Sequence, residues 1–422
     1  MKKAKKEPKK FKIGDNKKVK TLSHFNPKQT SRKDTHKEKD KKEELWDRIL
    51  KHRTEILIRV GIVFAVLLLA TGFFYFSYLN KEYEQISVIK SVKSVVTIGS
   101  NVMRFGNCVL IYSNDGMKCV NEKGDVVWNE TFQMQNPMID VNGDVVGIAD
   151  YNGSIIYMMN KSGKMGTINT GMPIRKFCVS AKGLAIAILD NADITPIHLY
   201  DTSGNTVVYF STSMKNSGYP IDLAITESGY VVAVSYLYVD STSYKTDVAF
   251  YNFGEVGQNQ TDNLVSGYTY SNTIVPEVRF IDNANAVAVA DNRLMFYAGD
   301  QKPVSSGDVM VEKEISAVYY GKEYVALVFT NTDEGDRYYV NIYDRSGKLK
   351  DTVHFNMAYE DILLTGNQIV IYSSDECLVH VIGGIDKYKG PLEGGVLAIL
   401  PTGINYRYTF VTNDEIQTVE LK

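Results

Sequence analysis

The chain has 422 residues, 44% of them hydrophobic, which is enough apolar material for a sizeable core. That length admits two or three ordinary domains or one large repeat domain. The net charge of −2 conceals two unlike parts, because residues 1–59 hold 21 Lys and Arg against 9 Asp and Glu, whereas residues 60–422 hold 26 against 40.

Residues 1–40 are Lys-rich and poor in aromatic and apolar residues, so they are expected to form a disordered basic tail. Anionic lipid is the partner such charge suggests. Nucleic acid is not expected, since no nucleic-acid fold or stacking pattern accompanies the charge. Residues 41–59 carry Leu45, Trp46, Ile49, Leu50, Ile56 and Leu57 at helical spacing and are expected to form a juxtamembrane amphipathic helix. The run VGIVFAVLLLATGFFYFSYL, residues 60–79, has 20 residues and no charge. As a helix it spans roughly 30 Å, the hydrocarbon thickness of a bilayer, and is expected to be a single transmembrane helix and uncleaved signal anchor. Basic residues precede it more densely than they follow it, which puts the N-terminus in the cytoplasm and the C-terminal part outside. Residues 80–86 read as a short linker.

Residues 87–422 lose the helical period. Short runs rich in Val, Ile, Tyr and Phe alternate with Gly, Asn and Asp, the signature of an all-β chain. A unit recurs eight times, opening at NVMRF, PMIDV, IRKFCV, IDLAIT, PEVRFI, ISAVYY, DILLT and VLAIL. Each opening strand is followed by a second and a third, such as CVLIYS and GMKCV in the first unit. A spacing near 40 residues is that of a four-stranded propeller blade. Turns such as NEKGD, NKSGK, DTSGN and DRSGK lead to a fourth strand, with glycine supplying the left-handed backbone of a hairpin. The near-identical HLYDTSGNTVVYF and VNIYDRSGKLKDTVHF are therefore the same hairpin in two blades. The last unit ends at Lys422 without a fourth strand, and the segment SVIKSVKSVVTI at residues 87–98 has no blade of its own. Joining them closes the ring and removes exposed sheet edges. The expected fold is an all-β, eight-bladed β-propeller, with seven blades the alternative.

The stretch NEKGDVVW, with Gly124 and Trp128, resembles the repeat of pyrroloquinoline-quinone-type propellers, in which a turn glycine precedes a docking tryptophan. The whole arrangement is similar to a family of bacterial membrane-anchored, quinoprotein- or WD40-like propellers catalogued as a domain of unknown function. The resemblance implies the fold and supplies no activity.

No catalytic set emerges. His198, His354 and His380 fall in three different blades without partners at metal-ligand spacing and read as structural strand residues. Cys108, Cys119, Cys178 and Cys377 match no metal or redox motif and read as small buried hydrophobes. The chain has no adjacent-cysteine pair and one blade Trp, so neither a quinone nor any other cofactor or metal is expected. Longer connections in the fourth and sixth units bring Tyr236, Tyr238, Tyr244, Tyr268, Tyr270, Asp333, Glu334 and Asp336 to what the repeat places as one face. The reading is a non-enzymatic scaffold for an envelope protein partner. The alternative is a glycan or small-ligand sensor signalling across the membrane, with a quinoprotein enzyme in third place.

Overall fold

The computed structural model describes residues 33–97, 99–191, 194–212, 218–331 and 335–422. Its contacts divide the chain into residues 1–79 and 80–422.

In the first unit a single helix, α1, runs Lys33–Leu79 without a break, through both segments the sequence divides at residue 60. It starts within the stretch read as tail. Phe64, Leu69, Phe73 and Phe74 are all exposed. By length and composition α1 is long and apolar enough to cross a membrane.

The second unit is an eight-bladed β-propeller of eight four-stranded antiparallel sheets. Blades 1 to 7 span residues 101–131, 137–169, 174–212, 219–271, 277–310, 317–355 and 361–391. Blade 8 takes three strands from residues 396–421 and its outer strand from Ile86–Lys93. That strand pairs antiparallel with Glu415–Leu421, from Ile86 opposite Leu421 to Lys93 opposite Glu415. The expected closure is thus the observed one. Residues 81–85 are tied to the propeller. Tyr83 N–H donates to Lys387 O at 2.7 Å, Lys387 Nζ to Lys81 O at 2.9 Å, and Glu84 N–H to Lys422 O at 3.0 Å.

Eight apolar clusters fill the structure, each built from two neighbouring blades. A blade is therefore buried on both faces, and its second strand reads as a continuous apolar run, as in AIAIL and QIVIY. The first strands of successive blades line the axis.

The repeated hairpins have a physical cause. In DTSG and DRSG the aspartate accepts two backbone N–H groups. Asp201 Oδ1 takes Ser203 and Asn205 at 2.9 Å each, and Asp344 Oδ1 takes Ser346 at 2.9 Å and Lys348 at 3.1 Å. The glycine follows with φ near +80°, at Gly204 and Gly347. Each turn then docks on the outer strand of the preceding blade. A Cβ on Gly166 of blade 2 would stand 1.9 Å from Thr202 O, and one on Gly307 of blade 5 would stand 2.4 Å from Ser346 O. A neighbouring contact sets Gly163 of blade 2 against Trp128 of blade 1. Gly166→Ala and Gly307→Ala are each expected to cost about 1–3 kcal/mol, because the clash is with backbone that cannot rotate away. Gly267→Ala, with nothing within 4 Å of its Cβ, is expected to be close to neutral. Denaturant midpoints of the three variants check this.

Cys108, Cys119 and Cys377 are buried and Cys178 is half-buried, all four as free thiols. Burial pushes the Cys377 thiol up to about 12. His198 Nδ1 lies 3.0 Å from the Tyr200 hydroxyl. His380 joins two blades, with Nε2 2.9 Å from Asp351 Oδ2 of blade 6 and Nδ1 2.6 Å from Asp386 Oδ1 of its own blade.

Candidate functional site

Among the described residues, the concave features that carry polar groups include a groove at the rim between blades 3 and 4 and the axial channel.

The groove arises because blade 4 has the longest strands. Its second and third strands, Val231–Val239 and Tyr244–Asn252, have nine residues each and run past the ends of their neighbours. Segments expected to be loops are therefore strands, with side chains alternating between the two faces. Tyr236 and Tyr238 point toward blade 3. There they meet Tyr209 and Phe210 of that blade's outer strand, Thr206–Thr212, and Tyr251 and Phe253 of blade 4, around a cavity of about 620 Å³. Phe210 packs on Tyr251 with ring centroids 5.0 Å apart, and the Tyr236 and Tyr251 hydroxyls are 3.1 Å apart. Tyr209 is 75% exposed at the mouth. Gly267 forms part of the wall, where the missing side chain keeps the space open. Asp247 supplies charge. Its Oδ2 takes Lys245 Nζ at 3.2 Å, while Oδ1 is buried without a hydrogen-bond partner. Lys245 Nζ also sits 4.3 Å from the centroid of the Tyr238 ring. Burial, then the Asp247 charge, pushes the Tyr238 hydroxyl up, so it remains a donor at neutral pH.

Tyr268 also lines the groove, but its hydroxyl and the remaining described site residues are engaged elsewhere. Tyr268 and Tyr270 face blade 5. There the Tyr268 hydroxyl donates to Pro303 O at 3.3 Å and the Tyr270 hydroxyl lies 2.7 Å from that of Tyr297. Tyr244 is partly exposed at the start of its strand. Asp336, on blade 6, accepts Asn356 Nδ2 at 2.6 Å and takes no part in the groove. Asp333 and Glu334 lie outside the described residues. Of the eight, among the described residues, the structure brings Tyr236, Tyr238 and Tyr268 to the lining of one groove, although the Tyr268 hydroxyl is spent on blade 5. Sequence reading missed Tyr209, Phe210, Tyr251, Asp247 and Gly267. The available signal was Gly267 interrupting the otherwise Tyr-rich LVSGYTYS strand.

The channel holds a cavity of about 430 Å³ along the first strands of blades 2 to 7, with one mouth at the turns around Gly143, Glu227, Asp282 and Lys322. Charged side chains from successive first strands link blade to blade. Asp140 Oδ2 accepts Val179 N–H at 2.7 Å, Lys176 Nζ meets Asp222 Oδ1 at 2.8 Å, and Asp222 Oδ2 accepts Val278 N–H at 2.8 Å. Glu277, Arg279 and Tyr320 complete the lining, with the Arg279 guanidinium 4.9 Å from the centroid of the Tyr320 ring. Burial pushes the carboxyls of Asp140, Asp222 and Glu277 above the usual range, against the pull of Lys176 on Asp222. Burial pulls the Lys176 ammonium down, but Asp222 outweighs it and the net direction is up.

The propeller and its ring closure define the class, a β-propeller carried behind one membrane-length helix. The chain belongs to a family of unknown function (DUF5711), whose profile matches residues 79–421. No curated protein matches it. Among solved structures it is similar to a eukaryotic initiation factor at 11% identity and a TM-score of 0.50, over 81% of this chain and 87% of that one. It is also similar to BamB from Moraxella catarrhalis at 12% and 0.48, over 80% and 100%, and to AztD from Citrobacter koseri at 9% and 0.47, over 70% and 87%. At such identities the likeness concerns the fold alone.

Proposed function

We propose that this protein is a membrane-anchored, extracytoplasmic scaffold, and that the groove between blades 3 and 4 docks an extended segment of an envelope protein. In this reading residues 1–40 form the cytoplasmic tail, 41–59 the juxtamembrane helix, 60–79 the span, 80–86 the linker and 87–422 the binding domain. Orientation rests on the basic residues that precede the span. The protein acts by binding and carries no chemistry.

The groove carries the proposal. It combines the exposed Tyr209 ring and half-buried rings beside it, which supply contact area at small entropic cost, with an aspartate oxygen that lacks a partner. A segment with an apolar side chain for the Tyr209–Phe210–Tyr251 surface and a Lys or Arg for Asp247 complements both. The outer strand of blade 3 ends its sheet beside the groove and offers free backbone groups to such a segment.

Gly267→Trp tests it. The indole fills the groove from a position where nothing lies within 4 Å, so the fold is expected to survive. Full-length protein is crosslinked in its native membrane, captured and read by mass spectrometry. A specific envelope protein captured by the parent, lost with Gly267→Trp and retained with Gly267→Ala supports the docking site. Equal capture by all three overturns it. Binding to purified cell wall that survives Gly267→Trp would favour a glycan at another surface.

A further inference from the structure

The channel has a feature that blade-to-blade linkage does not explain. Lys176 and Asp222 are committed to each other, and Asp222 and Asp140 each hold a backbone N–H of the next blade. Arg279 is not committed in this way. Among the described residues its guanidinium has no ion pair or hydrogen bond, only the face of Tyr320. A guanidinium covered on its face keeps its edge N–H donors, a planar fork that matches a carboxylate. The same cavity is lined by the carboxyls of Asp140, on blade 2, and Glu277, two residues before Arg279 on the same strand. The cavity, at about 430 Å³, falls within the roughly 300–1,000 Å³ of small-ligand sites. It also has an open mouth.

The signs decide the ligand class. A simple anion would gain Arg279 but would face three carboxyls. A simple amine would gain the carboxyls but would face Arg279 and Lys176. Arg279 is exposed to the channel, and each mismatch is unfavourable beside the buried Asp222 carboxylate. We propose that the channel binds a small zwitterion of the amino-acid type. Its carboxylate lies on the edge of Arg279 and its ammonium on Asp140 and Glu277. Side-chain selectivity would come from the apolar part of the wall, Ile139, Leu223 and Leu364. The site is separate from the rim groove, and the proposal does not depend on the groove's occupant.

Calorimetry on full-length protein in detergent, with glycine, L-alanine and L-aspartate as probes, tests it. Acetate and methylamine serve as single-charge controls. At least one amino acid is expected to bind, with affinity reduced about tenfold or more by Arg279→Lys, which keeps the charge but not the fork. Glu277→Gln is expected to weaken the same ligand, and Gly267→Trp to leave it unchanged. Three results overturn the proposal: no heat with any of the three amino acids, binding indifferent to Arg279→Lys, or acetate binding as tightly as alanine. A melting temperature for Arg279→Lys equal to the parent's separates loss of binding from loss of fold.

Discussion

Val419→Asp is expected to unfold the propeller as a whole rather than to loosen one blade. Val419 is fully buried in the third strand of blade 8, opposite Val88 of the N-terminal strand and Tyr408 of the second. It belongs to the cluster that joins blades 7 and 8. A carboxylate placed there has no partner, and either its desolvation or its protonation costs at least about 3 kcal/mol. A domain of this kind has about 5–15 kcal/mol in total. Loss of the closing strand would also expose two sheet edges, so the damage spreads through the ring. Val127→Asp, on a 45% exposed residue of the outer strand of blade 1, is expected to stay within about 0.5 kcal/mol. Circular dichroism during thermal and denaturant unfolding distinguishes the cases. A Val419→Asp protein as stable as the parent would show that the N-terminal strand is dispensable for closure.

Asp222→Ala is expected to cost about 2–4 kcal/mol, somewhat below the figure for a fully buried pair because Lys176 keeps access to the channel. It removes the partner of Lys176 and leaves the buried Val278 N–H without an acceptor. Asp222→Asn keeps that acceptor and is expected to cost less, and its pH behaviour is the more informative result. Asp140, Asp222 and Glu277 all have carboxyls raised by burial. The folded chain therefore keeps these protons to higher pH than the unfolded chain, which releases them near about pH 4. Stability from these groups is complete below that value and is lost as pH rises through the raised values. Asp351 goes the other way. Burial alone would raise its carboxyl, but the Gly383 N–H and His380 hold it below the usual range, so its contribution is lost as pH falls below about 4. Stability is thus expected to fall on the acid side as Asp351 is protonated, and to fall again as pH rises through the raised carboxyl values, a decline that Asp222→Asn makes shallower. Denaturant midpoints across this range check it, and a slope unchanged by Asp222→Asn would show that Asp222 does not titrate there.

The architecture was legible in the sequence because its causes are local. A turn of the DTSG type needs an aspartate to bind two N–H groups and a glycine for the positive φ, whatever surrounds it. Strand alternation and spacing gave eight units, and a strand lacking at one end of the chain matched a spare strand at the other. The charge-free run at residues 60–79 likewise declared a membrane-length helix by composition alone.

The sites were not legible, because they depend on which blade faces which. Tyr236 and Tyr268 look equivalent as tyrosines in long connections. The Tyr236 hydroxyl meets that of Tyr251 at the groove, whereas the Tyr268 hydroxyl is bonded to blade 5, although both residues line the groove. The groove's remaining rings come from another blade, and Gly267 matters there for the space it leaves. The channel is more distributed still. Asp140, Lys176, Asp222, Glu277, Arg279 and Tyr320 stand on five first strands. In the sequence each is one polar residue in a short apolar strand. Ring closure alone makes these strands neighbours and directs their charges into one cavity.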